Sequence, residues 1–194
     1  MINFLFVKKC IICSKTGYDI CENCLEKSLE KSVKNVENVH TLYYYKDELR
    51  EAFIKYKFRG KKSYAKGLAK LFLQKLDVNL NDFDIITFVP ISKIRIRERG
   101  FNQSELLCRC VCREFKIKPL SILEAKNGKR QSTLTKDERK TNVLDKFSCK
   151  IDVSNKKILV IDDVYTTGST INEIIKVLEN ANAKSVTAYV LFKT

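Results

Sequence analysis

The sequence predicts an α/β protein built on a parallel sheet flanked by helices, and three observations carry that expectation. Asp84-Ile85-Ile86-Thr87-Phe88-Val89, stopped by Pro90, and Ile158-Leu159-Val160-Ile161 are short apolar runs of the kind found in strands buried on both faces. Helical patterns stand between and after them, over Ser104 to Phe115 and over Ser169 to Asn180, where Ile171, Ile174, Ile175 and Leu178 recur at i, i+3, i+4 and i+7. A last apolar run, Val186 to Phe192, closes the chain as a strand. Strands that alternate with helices build parallel sheets, and open parallel sheets hold ligands at the carboxyl ends of their strands.

The remaining elements follow in chain order. Residues 1–26 are rich in cysteine and read as a small metal-held module, and the polar residues 27–38 read as a short helix or linker. The division expected is therefore 1–38 for module and linker and 39–194 for the main domain. Val39 to Tyr45 is β-branched and aromatic, as strands are. From Asp47 to Leu76 the spacing turns helical, with Leu49, Phe53 and Tyr56 on one face, Leu68, Leu71 and Phe72 on another, and Gly60 between.

The totals bound the rest. A chain of 194 residues buries roughly 70% of the surface it exposes when unfolded and needs no disulfides for a core. Lys and Arg number 37 against 23 Asp and Glu, a formal charge of +14 that favours polyanionic partners. No apolar stretch approaches the ~20 residues of a membrane span, and Met1 to Val7 is too short and carries its charge on the wrong side for a signal peptide. The expected location is cytoplasmic, where eight cysteines serve as thiols or metal ligands.

Cys10, Cys13, Cys21 and Cys24 form C-x2-C-x7-C-x2-C, two knuckles that together offer four thiolates to zinc, with Gly17 available for a tight hairpin. Four thiolates close the coordination shell, so the zinc expected here is structural. Cys108, Cys110 and Cys112 lie on one helix and, like Cys149, read as core fillers. The sole histidine, His40, sits in a strand, which argues against a His-dependent nucleophile triad.

The segment from Lys157 to Thr170 carries the most chemistry. A buried strand ends at two carboxylates, Asp162 and Asp163, followed by Val164, Tyr165 and the small hydroxyl-rich turn Thr166-Thr167-Gly168-Ser169-Thr170 that opens a helix. Such a turn aims backbone N–H groups at a phosphate without needing a lysine, and Gly168 permits positive φ. The carboxylates suit ribose hydroxyls, or a divalent metal held directly or through water.

Three basic runs stand apart from the rest. Lys55, Lys57, Arg59, Lys61 and Lys62 interleave with Tyr56, Phe58 and Tyr64; this composition suits single-stranded nucleic acid, and equally a helix surface whose rings face the core. Lys93, Arg95, Arg97 and Arg99 follow a buried strand and fall at the same carboxyl edge as Asp162. Lys126, Lys129, Arg130, Lys136, Arg139 and Lys140 read as an active-site lid or as a solvated connector.

Residues 158–170 resemble the phosphoribosyl pyrophosphate loop of type I phosphoribosyltransferases, and Val164-Tyr165-Thr166-Thr167-Gly168 is similar to the form found in the ComF branch, the competence-associated phosphoribosyltransferase-like proteins. Three further segments carry that resemblance: Val89-Pro90 with Arg95, Arg97 and Arg99-Gly100-Phe101-Asn102-Gln103; the spacing of Gln131, Leu134, Arg139, Asn142 and Phe147; and the paired cysteines. The resemblance implies a type I phosphoribosyltransferase-like sheet with an amino-terminal zinc module. It implies a phosphoribosyl pyrophosphate site formed by Asp162 to Thr170, pyrophosphate contacts from Ser92, Lys93, Arg97, Arg99 and Arg139, and magnesium arriving with the ligand. It further implies a part in bringing single-stranded DNA into the cytoplasm during natural transformation. A competence helicase or inner-membrane DNA channel proteins would be the partners there, with peripheral contact at the inner membrane. The alternative is an active transferase that passes phosphoribosyl to a nucleobase. No base-selective segment and no catalytic side chain is legible, so enzymatic activity stays open.

Overall fold

The computed structural model describes residues 7–29, 33, 38–126 and 146–194. Its centre is a four-stranded parallel sheet of β1 (Val39–Tyr44), β6 (Ser185–Lys193), β5 (Lys157–Tyr165) and β2 (Ile85–Phe88), in that spatial order. The expectation of a parallel sheet flanked by helices holds. Ile158, Leu159, Val160 and Ile161 have no exposed surface, as a strand covered on both faces requires.

The alternation of those residues divides the core in two. Leu159 and Ile161 face a layer made by α2 (Asp47–Phe58), α3 (Ala65–Gln74) and α5 (Gln103–Glu114), with Phe53, Tyr56, Leu68, Phe72 and Leu107 among the contacts. Ile158 and Val160 face the opposite layer, where α6 (Ser169–Asn180) contributes Ile171, Ile174 and Leu178. The spacing of α6 residues read from the sequence is therefore its buried face.

The cysteine segment belongs to the first layer. Cys10, Ile11, Ile20, Cys21 and Cys24 are buried in the same cluster as Leu68 and Phe72. A Cβ on Gly67 of α3 would stand 2.7 Å from the Asp19 carbonyl oxygen and 2.9 Å from Ile11 Cδ1, so only glycine admits the loop this close to the helix. Most of the expected linker lies outside the described residues; its start belongs to α1 (Glu22–Ser28).

Three local features differ from, or add to, the sequence reading. The strand at Ile158 does not stop at Ile161. It runs to Tyr165 because β6 keeps pairing with it, Asp162 opposite Val190 and Val164 opposite Phe192, so both aspartates are strand residues. The alternating basic residues after Pro90 form a short helix, α4 (Lys93–Arg99), closed by Gly100 at φ +75°. A small antiparallel pair, β3 (Leu123–Ala125) with β4 (Phe147–Cys149), flanks the third basic run. Of that run, Lys129, Arg130, Lys136, Arg139 and Lys140 lie outside the described residues, as do Gln131, Leu134 and Asn142.

No helix among the described residues is long and apolar enough to cross a membrane.

Candidate functional site

Strands β2 and β5 are neighbours in the sheet, and their continuations leave in different directions. The chain after β2 enters α4 and then α5 on one face, while the chain after β5 enters α6 on the other. A crevice opens where adjacent connections part in this way, and in α/β sheets that is where ligands bind.

The two carboxylates stand on β5 at this edge, each buried and each with its own partners. Asp162 Oδ1 accepts hydrogen bonds from the Ser104 hydroxyl at 2.7 Å and from the Asp163 N–H at 2.8 Å. Asp163 is ion-paired with Lys57, whose Nζ lies 2.9 Å from Oδ2 and 3.2 Å from Oδ1. Burial and the neighbouring charge of Asp163 push the Asp162 carboxyl up to about 7, against the opposing pull of Ser104, the Asp163 N–H and Lys57.

Beyond the carboxylates the chain turns into α6. Gly168 takes φ +79°, a dihedral that favours glycine, and a Cβ there would have to push the Tyr165 hydroxyl aside. Thr166, Thr167, Ser169 and Thr170 are exposed. The first backbone N–H to reach back into the helix is that of Asn172, which donates to Gly168 O, and the earlier first-turn groups have no intrahelical partner by construction. Gly168, at the N-cap, has no side chain to cap this end, and the side chain that meets it is Thr167, whose Oγ1 accepts from the Ser169 N–H at 3.4 Å. The turn is thus an exposed helix start beside two carboxylates, with a glycine at its N-cap, an arrangement suited to a phosphate-bearing sugar.

The opposite wall comes from the chain after β2. Ser92 caps α4, its Oγ accepting from the Arg95 N–H at 3.3 Å. Lys93, Arg95 and Arg97 are exposed, and Arg99 donates to the Gln103 amide oxygen at 3.3 Å. Gln103 is buried, its carbonyl accepts from the Tyr56 hydroxyl at 2.7 Å, and its Nε2 has no partner among the described residues. The sequence reading gives Tyr56, Gln103 and Ser104 no part in the site, although Gln103 and Ser104 carried a signal: polar residues at the start of a helix inside an otherwise apolar layer. The structure brings Lys57 to Asp163 from the first basic run, while Lys55 is half-buried and Arg59, Lys61 and Lys62 are exposed.

The cysteine cluster is a second site, distinct in chemistry. The four sulfurs of Cys10, Cys13, Cys21 and Cys24 lie within 4.8 Å of one another, with Cys13 and Cys21 at 3.6 Å. A tetrahedron of sulfurs at about 2.3 Å from zinc has edges of about 3.8 Å, so the set fits. Burial raises the Cys10 thiol, but N–H groups of Cys21, Cys13 and Ile12 outweigh it and bring it down to about 6; burial and the other three thiols push Cys24 up. Four crowded sulfurs fed by backbone donors cannot all ionise without a cation, and zinc would supply that charge and the cross-link. Cys108 and Cys112 are fully buried, 3.9 Å apart at sulfur, and Cys108 donates to Thr87 O of β2, in keeping with core packing.

Comparison with known proteins follows this geometry. Residues 110–194 match the phosphoribosyl transferase domain. The chain is 31% identical to competence protein ComFC of Streptococcus pneumoniae over 95% of this chain and 87% of that protein. It is 29% identical to competence protein ComFC of Bacillus subtilis, over 95% and 78%. It is 28% identical to DNA utilization protein YhgH of Escherichia coli, over 90% and 78%. A solved structure titled as the allosteric regulatory enzyme of purine biosynthesis overlaps with a TM-score of 0.49 and 20% identity, over 71% of this chain and 29% of that one. The extent of the match to the Streptococcus pneumoniae protein, together with the domain match over β5 and α6, shows that the chain belongs to the ComF family of type I phosphoribosyltransferase-like proteins.

Proposed function

We propose that the crevice binds phosphoribosyl pyrophosphate, and that the chain serves DNA uptake with single-stranded DNA held on the basic face next to it. The observation that carries the first half is the start of α6, with Gly168 at its N-cap and Thr166, Thr167, Ser169 and Thr170 exposed, beside the buried Asp162–Asp163 pair. The 5′-phosphate takes the amides and hydroxyls from Thr166 to Thr170, with Val164 and Tyr165 forming the floor. The ribose hydroxyls donate to Asp162 and Asp163. Ser92, Lys93, Arg97 and Arg99 stand on the pyrophosphate side, joined in this reading by Arg139, and magnesium arriving on the diphosphate supplies charge neutralisation there.

The names of the relatives support the second half, and so does a junction in this chain. Phe58 is 63% exposed and the Arg99 guanidinium lies 5.6 Å from its ring centroid. Lys62 Nζ lies 5.3 Å from the Phe101 ring centroid and donates to Gly100 O at 3.4 Å. The run from Lys55 to Lys62 and the run from Lys93 to Arg99 are therefore one surface. A base stacks on the free side of Phe58 while phosphates meet Lys55, Arg59, Lys61, Lys62 and Arg95. Lys57, paired with Asp163, drops out of this interface.

Calorimetric titration tests both halves. Phosphoribosyl pyrophosphate is expected to bind the native chain and to lose all measurable binding in the Asp162→Ala, Asp163→Ala variant; equal binding by the two would remove the proposal. Oligothymidylate is expected to bind with steep salt dependence and to weaken by about 1–3 kcal/mol in Phe58→Ala. Binding that ignores salt and Phe58 would count against the DNA surface, and release of pyrophosphate on adding a nucleobase would move the reading to an active transferase.

A further inference from the structure

The contact between Lys57 and Asp163 joins residues 106 positions apart, and it is built rather than incidental. One ammonium faces both oxygens of one carboxylate, at 2.9 and 3.2 Å. The two side chains are only 17% and 9% exposed. One turn earlier in α2 the buried Phe53 lies under the same ammonium, 5.1 Å from its ring centroid. The helix that carries Lys57 is itself tied to α5 by the hydrogen bond from Tyr56 to Gln103 O at 2.7 Å. Asp162 is engaged separately, its Oδ1 taking the Ser104 hydroxyl and the Asp163 N–H.

A magnesium ion binds carboxylate oxygens directly at about 2.1 Å, and an ammonium already in contact with both oxygens repels a second cation brought that close. Of the four oxygens of this pair, both of Asp163 are in contact with the Lys57 ammonium and one of Asp162 accepts two hydrogen bonds. We propose that Lys57 is a built-in counter-cation that holds the place a divalent metal would take at these carboxylates. The acidic pair then binds no free magnesium or manganese. The ammonium also serves the pair where water would otherwise have to, because a buried carboxylate without a partner is costly. The exclusion needs no sugar phosphate present, so it stands or falls independently of the ligand proposed above.

The test uses manganese alone, added to the full chain with its cysteine site loaded with zinc, and reads free Mn2+ by electron paramagnetic resonance. The native protein and Asp163→Asn are expected to bind Mn2+ equally poorly. Lys57→Met is expected to gain a site on the order of tenfold tighter that Asp163→Asn abolishes, and Lys57→Arg is expected to keep the exclusion. A native protein that binds Mn2+ and loses it in Asp163→Asn would overturn the proposal, as would a Lys57→Met variant that gains nothing. If Lys57→Met does not fold, the comparison of native protein with Asp163→Asn decides alone.

Discussion

Four thiols within 4.8 Å of one another near the amino terminus and two adjacent carboxylates in β5 pose the same electrostatic problem, and the fold meets it in different ways. The thiols sit on a hairpin and the start of a short helix, and among the described residues no lysine is ion-paired with them; only an external cation lets all four ionise. The carboxylates sit on a strand that neighbours hold on both sides, and α2 delivers Lys57 to one of them. The cysteine site is therefore bound to the stability of its segment, whereas the acidic site keeps its shape without a ligand and stays available for one.

The largest expected effect separates the two sites directly. With zinc held by the four cysteines, stripping it with a chelator is expected to remove on the order of 10 kcal/mol of folding free energy from the cysteine segment. Hydrogen exchange is expected to accelerate through residues 8–28 and along the face of α3 at Gly67, while β5 and β6 remain protected. Loss of protection in β5 as well would mean that the two regions fold as one.

Next in size is the internal ion pair. Lys57→Met leaves Asp163 buried beside Asp162 without its cation, and is expected to lower stability in urea by about 3 kcal/mol, with part of the loss recovered in Lys57→Met, Asp163→Asn. Equal stability of native protein and Lys57→Met would show that the pair contributes nothing to the resting site.

A pH series sharpens the same comparison. The Asp162 carboxyl stands at about 7 in the folded chain, above its value of roughly 3.9 when unfolded, so folding takes up a proton between those values. The stabilising contribution is complete below about pH 4 and is lost as pH rises through about 7. Stability of the ligand-free protein is expected to fall on the order of 2 kcal/mol between pH 5 and pH 8, and Asp162→Asn is expected to flatten that slope. An unchanged slope in the variant would place the titration elsewhere.

The smallest effect concerns how the cysteine segment docks. Gly67→Ala puts a methyl against the Asp19 carbonyl and Ile11, and is expected to cost about 1–2 kcal/mol in urea while leaving the crevice intact.

What the sequence made legible was whatever local pattern decides. The bounds of α6 follow from its apolar spacing and Gly168, the buried strands from their continuous apolar runs, and the cysteine cluster from two knuckles in one short stretch. What it hid was decided at a distance. Nothing in Asp162-Asp163-Val164-Tyr165 says that the strand continues; the partners Val190 and Phe192 on β6 do. Lys57 reads as one cation of a surface run until the fold brings Asp163 to it, and Gln103 reads as a family match and Ser104 as a helix start until burial gives them contacts. The three-residue strands β3 and β4 are too short to display an alternation.

The most direct test of the account is a phosphorus NMR titration of phosphoribosyl pyrophosphate with the native chain and with Gly168→Val. The 5′-phosphate resonance is expected to shift and broaden with the native protein and to stay at its free position with the variant, whose side chain fills the turn. Movement confined to the diphosphate resonances, or a 5′-phosphate response that survives in Gly168→Val, would contradict a phosphate held by the main chain at the start of α6.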